Sequence, residues 1–146
     1  TIFLSAKNQK IDLYNECRID SGVSSADIKC RGVLLDSAEC LSKGLIQMNK
    51  DSVLSSAEEK QEMIIIGKDA KAYAIPYLEI SNNDITCSHG ATIGKINDDS
   101  LFYLESRGLS KHDAEKAYIL GYLSSLYKPE SKNFKMIHTV MGKKLK

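Results

Sequence analysis

From Ile2 to Ile96 the apolar residues come in short bursts instead of at helical spacing. Gly32-Val33-Leu34-Leu35, Gly44-Leu45-Ile46-Gln47-Met48, Met63-Ile64-Ile65-Ile66 and Tyr77-Leu78-Glu79-Ile80 are rich in β-branched and aliphatic side chains. Ile85-Thr86-Cys87 and Thr92-Ile93-Gly94-Lys95-Ile96 continue the series. Between them stand Asp36-Ser37, Asn49-Lys50-Asp51, Gly67-Lys68-Asp69 and Asn82-Asn83-Asp84, whose side chains and backbones favour turns. Several burst centres fall roughly 8 to 13 residues apart, too close for a helix between successive strands. The spacing therefore predicts an all-β sandwich, barrel or β-solenoid over residues 1–96, built of short strands of four to six residues, and does not choose among the three.

After Asn97 the period changes. Asn97 or Asp98 can cap a helix through Leu101, Phe102 and Leu104, with acids in its first turn and Gly108 suited to the left-handed closing position. Ser110 stands three before Asp113 and opens a second helix carrying Ala114, Ala117, Tyr118, Gly121, Tyr122 and Leu126. Pro129 stops it. Ser131 can cap a third helix with Phe134, Ile137, Met141 and Leu145 on one face. Residues 97–146 are expected to be a helical segment appended to the β region.

Composition narrows the function classes. Lys plus Arg total 20 against 19 for Asp plus Glu, so the formal charge of +1 gives no reason to expect nucleic acid or an anionic membrane as partner. Charge is concentrated at the end, where Lys128, Lys132, Lys135, Lys143, Lys144 and Lys146 face a single acid, Glu130, and read as a solvated tail. Cys17, Cys30, Cys40 and Cys87 form no Cys-x-x-Cys pair and no zinc-finger spacing, and no apolar run approaches the ~18 residues of a membrane span. The simplest expectation is a reducing compartment. The chain opens on Thr1 and not on methionine, which suggests a fragment.

The densest signal lies between Pro76 and Gly108. It reads Pro76-Tyr-Leu-Glu-Ile80, then Cys87-Ser-His89-Gly-Ala-Thr92, then Leu101-Phe-Tyr-Leu-Glu-Ser-Arg107-Gly108. This resembles the SufB/SufD family of iron–sulfur cluster assembly scaffolds, where a Pro-x-Leu-Glu-Ile strand, a His-x-Ala-Ser/Thr segment and a Leu-Phe-Tyr-x-x-x-Arg-Gly helix follow in that order. Weaker similarity runs back to about Gly32 and forward to about Leu123. The resemblance implies a mainly β fold, a right-handed parallel β-helix followed by a C-terminal α-helical segment, with this chain its C-terminal portion. It is closer to SufD than to SufB, because Gly90 and Leu104 stand where SufB proteins typically carry a glutamate and often a cysteine. That departure removes a carboxylate and a thiol, so this chain alone should hold a cluster poorly.

Cys87 and His89 are two apart on an expected strand, so their side chains leave one face, where thiolate and imidazole can both ligate iron. The resemblance implies that His89 lies at the SufB–SufD interface, a possible metal ligand whose co-ligands come from the partner. The bland alternative is a packed cysteine beside a hydrogen-bonded histidine, and it fits Cys87 better than His89. Cys17, Cys30 and Cys40 read as packing or surface residues, His112 and His138 as surface groups. Phe102, Tyr103 and Arg107 read as helix packing and an ion pair. Gly90 and Gly94 match no phosphate-loop pattern.

The family implies a non-catalytic scaffold that pairs with a SufB-like subunit and docks a SufC-like ATPase through its helical segment, with Ala114, Ala117, Tyr118 and Tyr122 the expected docking residues. An iron–sulfur cluster would be held transiently in the complex, and the isolated fragment would need no cofactor. Two other readings compete: a SufB-like homodimeric scaffold, and a β-solenoid carbohydrate-active enzyme, which needs clustered carboxylates or a Lys/Arg base. Asp84, Asp98 and Asp99 are explained by turns and helix caps. The expected location is a prokaryotic cytoplasm or a plastid-type stroma.

Overall fold

Seven strands precede three helices in the computed structural model, which describes residues 1–145; Lys146, the last lysine of the basic tail, lies outside the described residues. The strands are β1 (Ile2–Ser5), β2 (Lys10–Ile19), β3 (Ser25–Leu34), β4 (Glu39–Met48), β5 (Ser55–Ile65), β6 (Lys71–Ile80) and β7 (Ile85–Gly94). The helices are α1 (Asp98–Ser106), α2 (Lys111–Ser124) and α3 (Lys132–Lys144). Odd strands form one sheet in the order β1-β3-β5-β7, and even strands form a second in the order β2-β4-β6. All the pairings are parallel. Successive strands thus alternate between two facing sheets, and each pair completes one turn of a β-solenoid of about 3 turns.

Period-two alternation builds the interior. On β4, Cys40, Ser42, Gly44, Ile46 and Met48 are buried while their neighbours are partly exposed. Leu34, Ala38, Cys40 and Met63 form one buried cluster, and Ile19, Ile46, Met48 and Ala57 another. Each large side chain removed from water in this way contributes roughly 1.5–3 kcal/mol. One corner of the coil is a stack of turns: the Lys7 amide donates to Asp36 Oδ2 at 2.6 Å, and Gly67 packs so closely on Asp36 that a Cβ there would lie 2.0 Å from its carbonyl oxygen.

The turn sites fall where the sequence placed them, but the strands are longer than expected. Six run ten or eleven residues, and Ile85–Cys87 with Thr92–Gly94 belong to one strand, β7. The apolar bursts mark only part of each strand. The rest carries polar residues outward, where neighbours two apart pair with each other, as in Lys29–Asp27 and Lys60–Glu58.

The helices return onto the outside of the first sheet. Leu4, Val33 and Ile64 point outward from β1, β3 and β5 and pack with Ile119 and Leu123 of α2, Ile137 of α3 and Leu145. The Asn97, Ser110 and Ser131 side chains cap the three helices by accepting backbone N–H bonds, and Gly108 takes φ +96° after α1. α1 buries none of its residues. The expectation of helix packing for Phe102 and Tyr103 is therefore corrected: both are exposed, and Arg107 lies over the Tyr103 ring, 5.1 Å from its centroid, with no ion pair among the described residues. No described helix is long and apolar enough to cross a membrane.

Candidate functional site

β7 is an edge strand of its sheet, and β6 is the edge of the other at the same end of the coil. The outer side of each edge offers unpaired N–H and C=O groups, as an added strand requires. Cys87 and His89 share the inward face of β7, in register with Ala57 and Glu59 of β5. Their surroundings differ. Cys87 is half-buried against the cluster around Ile46 and Ala57, and burial, with Cys17 nearby, pushes its thiol up from its usual range. His89 is exposed. Gly90, the next residue, faces the outside of the coil, where a Cβ would meet nothing within 4 Å among the described residues.

Beneath His89 the interior turns polar. Glu59 is 0% exposed, Gln61 Nε2 donates to its Oε1 at 3.1 Å, and its Oε2 and the Gln61 Oε1 have no partner among the described residues. Burial pushes the Glu59 carboxyl up, opposed by the Gln61 hydrogen bond and the charge of His89. The carboxylate fits only because Gly44 on the opposite sheet has no side chain: a Cβ there would lie 1.7 Å from Oε1. Among the described residues no group of three or more His, Cys, Asp or Glu side chains is gathered to hold a metal. The chain brings His89 and Cys87 to one face without supplying a full ligand set. Cys30 and Cys40 are buried in the coil and Cys17 is half-buried.

A second feature lies between α1 and α2. An open groove of about 440 Å³ is lined by Leu104, Ala117, Tyr118, Gly121, Tyr122 and Ser125. It continues past Leu104 and Tyr118 to Asn97 and Tyr103. Of the four residues expected to dock a partner, Ala117, Tyr118 and Tyr122 line this groove, while Ala114 is fully buried and presents no surface. His112 is exposed at the start of α2, and His138 stacks on Phe134 with its Nε2 3.2 Å from Ser124 Oγ.

Comparison with known proteins fixes the family. The profile of the SUF system FeS cluster assembly, SufBD core domain, matches residues 1–122. The chain belongs to the SufBD core family. Within it the chain is SufD-like. It is 28% identical over 126 residues to "Iron-sulfur cluster assembly protein SufD" of Escherichia coli, covering 86% of this chain and 30% of that protein. It is 32% identical over 93 residues to the SufD of Bacillus subtilis, covering 64% of this chain and 21% of the relative. An "Iron-sulfur cluster assembly SufBD family protein" of Methanothermobacter thermautotrophicus is 30% identical over 118 residues, covering 81% and 28%. The SufBD-core chain thus spans less than a third of the length of these relatives.

Reading the sequence missed Glu59, Gln61 and Gly44. The available signal was parity. Counting back by twos from Met63 along one strand puts Gln61, Glu59 and Ala57 on the inward face.

Proposed function

We propose that this SufD-like chain is a non-catalytic scaffold subunit of a SUF-type assembly complex, pairing through the β6/β7 end of its solenoid with a SufB-like subunit. The observation that carries the reading is His89, exposed on the inward face of an edge strand and sharing that face with half-buried Cys87. An imidazole there offers one nitrogen to iron delivered at the junction, with the remaining ligands supplied from the partner. The nascent iron–sulfur cluster is cargo in this scheme and is held only in the complex. The relatives' names, all of assembly proteins, support the class.

The groove between α1 and α2 is the surface we assign to a SufC-like ATPase. Ala117, Tyr118 and Tyr122 contribute to it, with exposed Phe102 at 75% accessibility on the adjoining helix. Exposed aromatic side chains of this kind are the usual anchors of protein interfaces. The ATPase supplies the energy, so turnover by this chain alone is not required, and a bacterial-type cytoplasm suits the assembly. The test is co-purification of full-length protein with the ATPase. Ala117→Glu and Tyr118→Asp should each weaken capture at least tenfold while leaving the β-sheet circular dichroism intact. Unchanged capture by both variants removes the groove from the interface.

A further inference from the structure

Glu59 is an unusual choice for the middle of a solenoid. In register it stands between Ile28 on β3 and His89 on β7, and it is completely removed from solvent. Gln61 occupies only its Oε1, while Oε2 has no partner among the described residues. Gly44 opposite clears room for this carboxylate in particular, because any side chain there would strike it. An apolar residue of the same volume would avoid the cost of burying an acid with an idle oxygen. Of the groups able to carry a proton, His89 is its register partner on β7, and Cys30, in register with Gln61 on β3, lies near enough to feel its charge. Neither ring nitrogen of His89 makes a hydrogen bond among the described residues, so an idle acceptor and an idle ring occupy neighbouring rungs on one face.

We propose that Glu59 is the positioning residue of His89, accepting one ring N–H on its free Oε2 and so fixing the tautomer that aims the other ring nitrogen out of the β7 edge toward iron. The inference rests on the reading of His89 given above. Histidines that ligate metals commonly donate their second N–H to a carboxylate, which orients the ring and raises its basicity. Here the carboxylate comes from the preceding turn of the coil, so the solenoid's register sets the geometry. The buried acid is then explained by what it does for the next rung, and Gly44 by the space the acid needs.

The experiment uses full-length protein in its complex, labelled with 15N at histidine, the His89 ring resonances being assigned by their loss in His89→Ala. Wild type should show two well-separated ring shifts, the mark of one tautomer. In Glu59→Met, which fits the same space without an acceptor, they should move toward the averaged positions of a free imidazole. Glu59→Gln, which keeps the shape and one acceptor oxygen, should lie between. Iron recovered with the complex should fall roughly tenfold in Glu59→Met. A folded Glu59→Met protein with wild-type ring shifts overturns the proposal, as does a lowered melting temperature with no change in the ring. If Glu59→Met does not fold, unchanged shifts in Glu59→Gln overturn it equally. Full iron content in His89→Ala would instead sink the ligand role of His89, while the ring shifts would still decide the pairing.

Discussion

Arg31 lies across the face of Tyr122, its guanidinium carbon 4.9 Å from the ring centroid, and so fastens α2 to the outside of the solenoid. The same side chain pairs with Glu62, its register partner on β5, at 2.7 Å. It also donates to the Tyr122 carbonyl at 3.1 Å and to Ser125 Oγ. One partly buried cation thus joins two strands and a helix. Arg31→Ala should lower stability by about 2 kcal/mol, the scale of lost charge-assisted hydrogen bonds and a partly desolvated cation–π contact. Hydrogen exchange should speed up in α2 and α3 before β4 and β5. Tyr122→Phe, which keeps the ring and the carbonyl, should change little. Equal loosening of the solenoid interior would show that Arg31 does not act as a latch.

Gly44 and Glu59 should be coupled. Gly44→Ala sets a methyl against the Glu59 carboxylate and should cost about 2 kcal/mol, the usual scale of an overpacked core. In a Glu59→Ala background the same methyl enters vacated space and should cost little or stabilise. A double-mutant cycle by urea unfolding should give a coupling of at least ~1 kcal/mol. Simple additivity would mean that Gly44 is needed for its backbone and not for the room it leaves.

A pH dependence follows from Glu59. Burial raises its carboxyl above the ordinary 4.5, so the folded chain holds that proton more tightly than the unfolded chain does. The resulting stability is complete below the ordinary value and is lost as pH climbs through the raised folded value. Glu59→Gln carries no such proton. Its melting temperature relative to wild type should therefore rise as pH climbs from the ordinary 4.5 through the raised folded value. A difference that is flat with pH, or that shrinks toward neutrality, contradicts the buried ionisable carboxyl.

Thiol labelling should divide the cysteines in pairs. Cys17 and Cys87 are half-buried, whereas Cys30 and Cys40 are fully enclosed, and burial pushes the Cys40 thiol up to about 11. Thiolate is the reactive form, so at pH 8 a small alkylating reagent should modify Cys17 and Cys87 first. Cys30 and Cys40 should react only at the rate of opening of the coil. Early modification of Cys40, read by peptide mass, would show that the interior is more open than the packing indicates.

Much of the fold was legible because turns are chemically distinctive. Asp36-Ser37, Gly67-Lys68-Asp69 and Asn82-Asn83-Asp84 all fall between strands, and the caps at Asn97, Ser110 and Ser131 are all used. Strand length was not legible, since outward-facing Lys43, Glu58 and Lys60 give a half-exposed strand the polarity of a loop. The motif located His89 and Cys87 on one face, but only the coil's register shows what lies beneath them. Within Ser55-Ser-Ala-Glu-Glu-Lys-Gln-Glu62 composition does not tell which glutamate is solvated and which is sealed in. The burial of Ala114 was not legible for a related reason: a helix apolar on several sides does not announce which face the sheet takes.

In the function proposed above, His89 serves cluster assembly at the β7 edge and does not serve folding. The direct measurement is iron and acid-labile sulfide per purified complex, taken beside thermal unfolding, for wild type, His89→Ala and Cys87→Ala. His89→Ala should keep the melting temperature within about 1 °C, because an exposed side chain is replaced, and should still assemble the complex while losing most of its iron and sulfide. Cys87→Ala should retain more cluster and lose more stability, since its thiol packs on the Ile46–Ala57 cluster. Full iron and sulfide with His89→Ala, or its outright unfolding, would contradict the account.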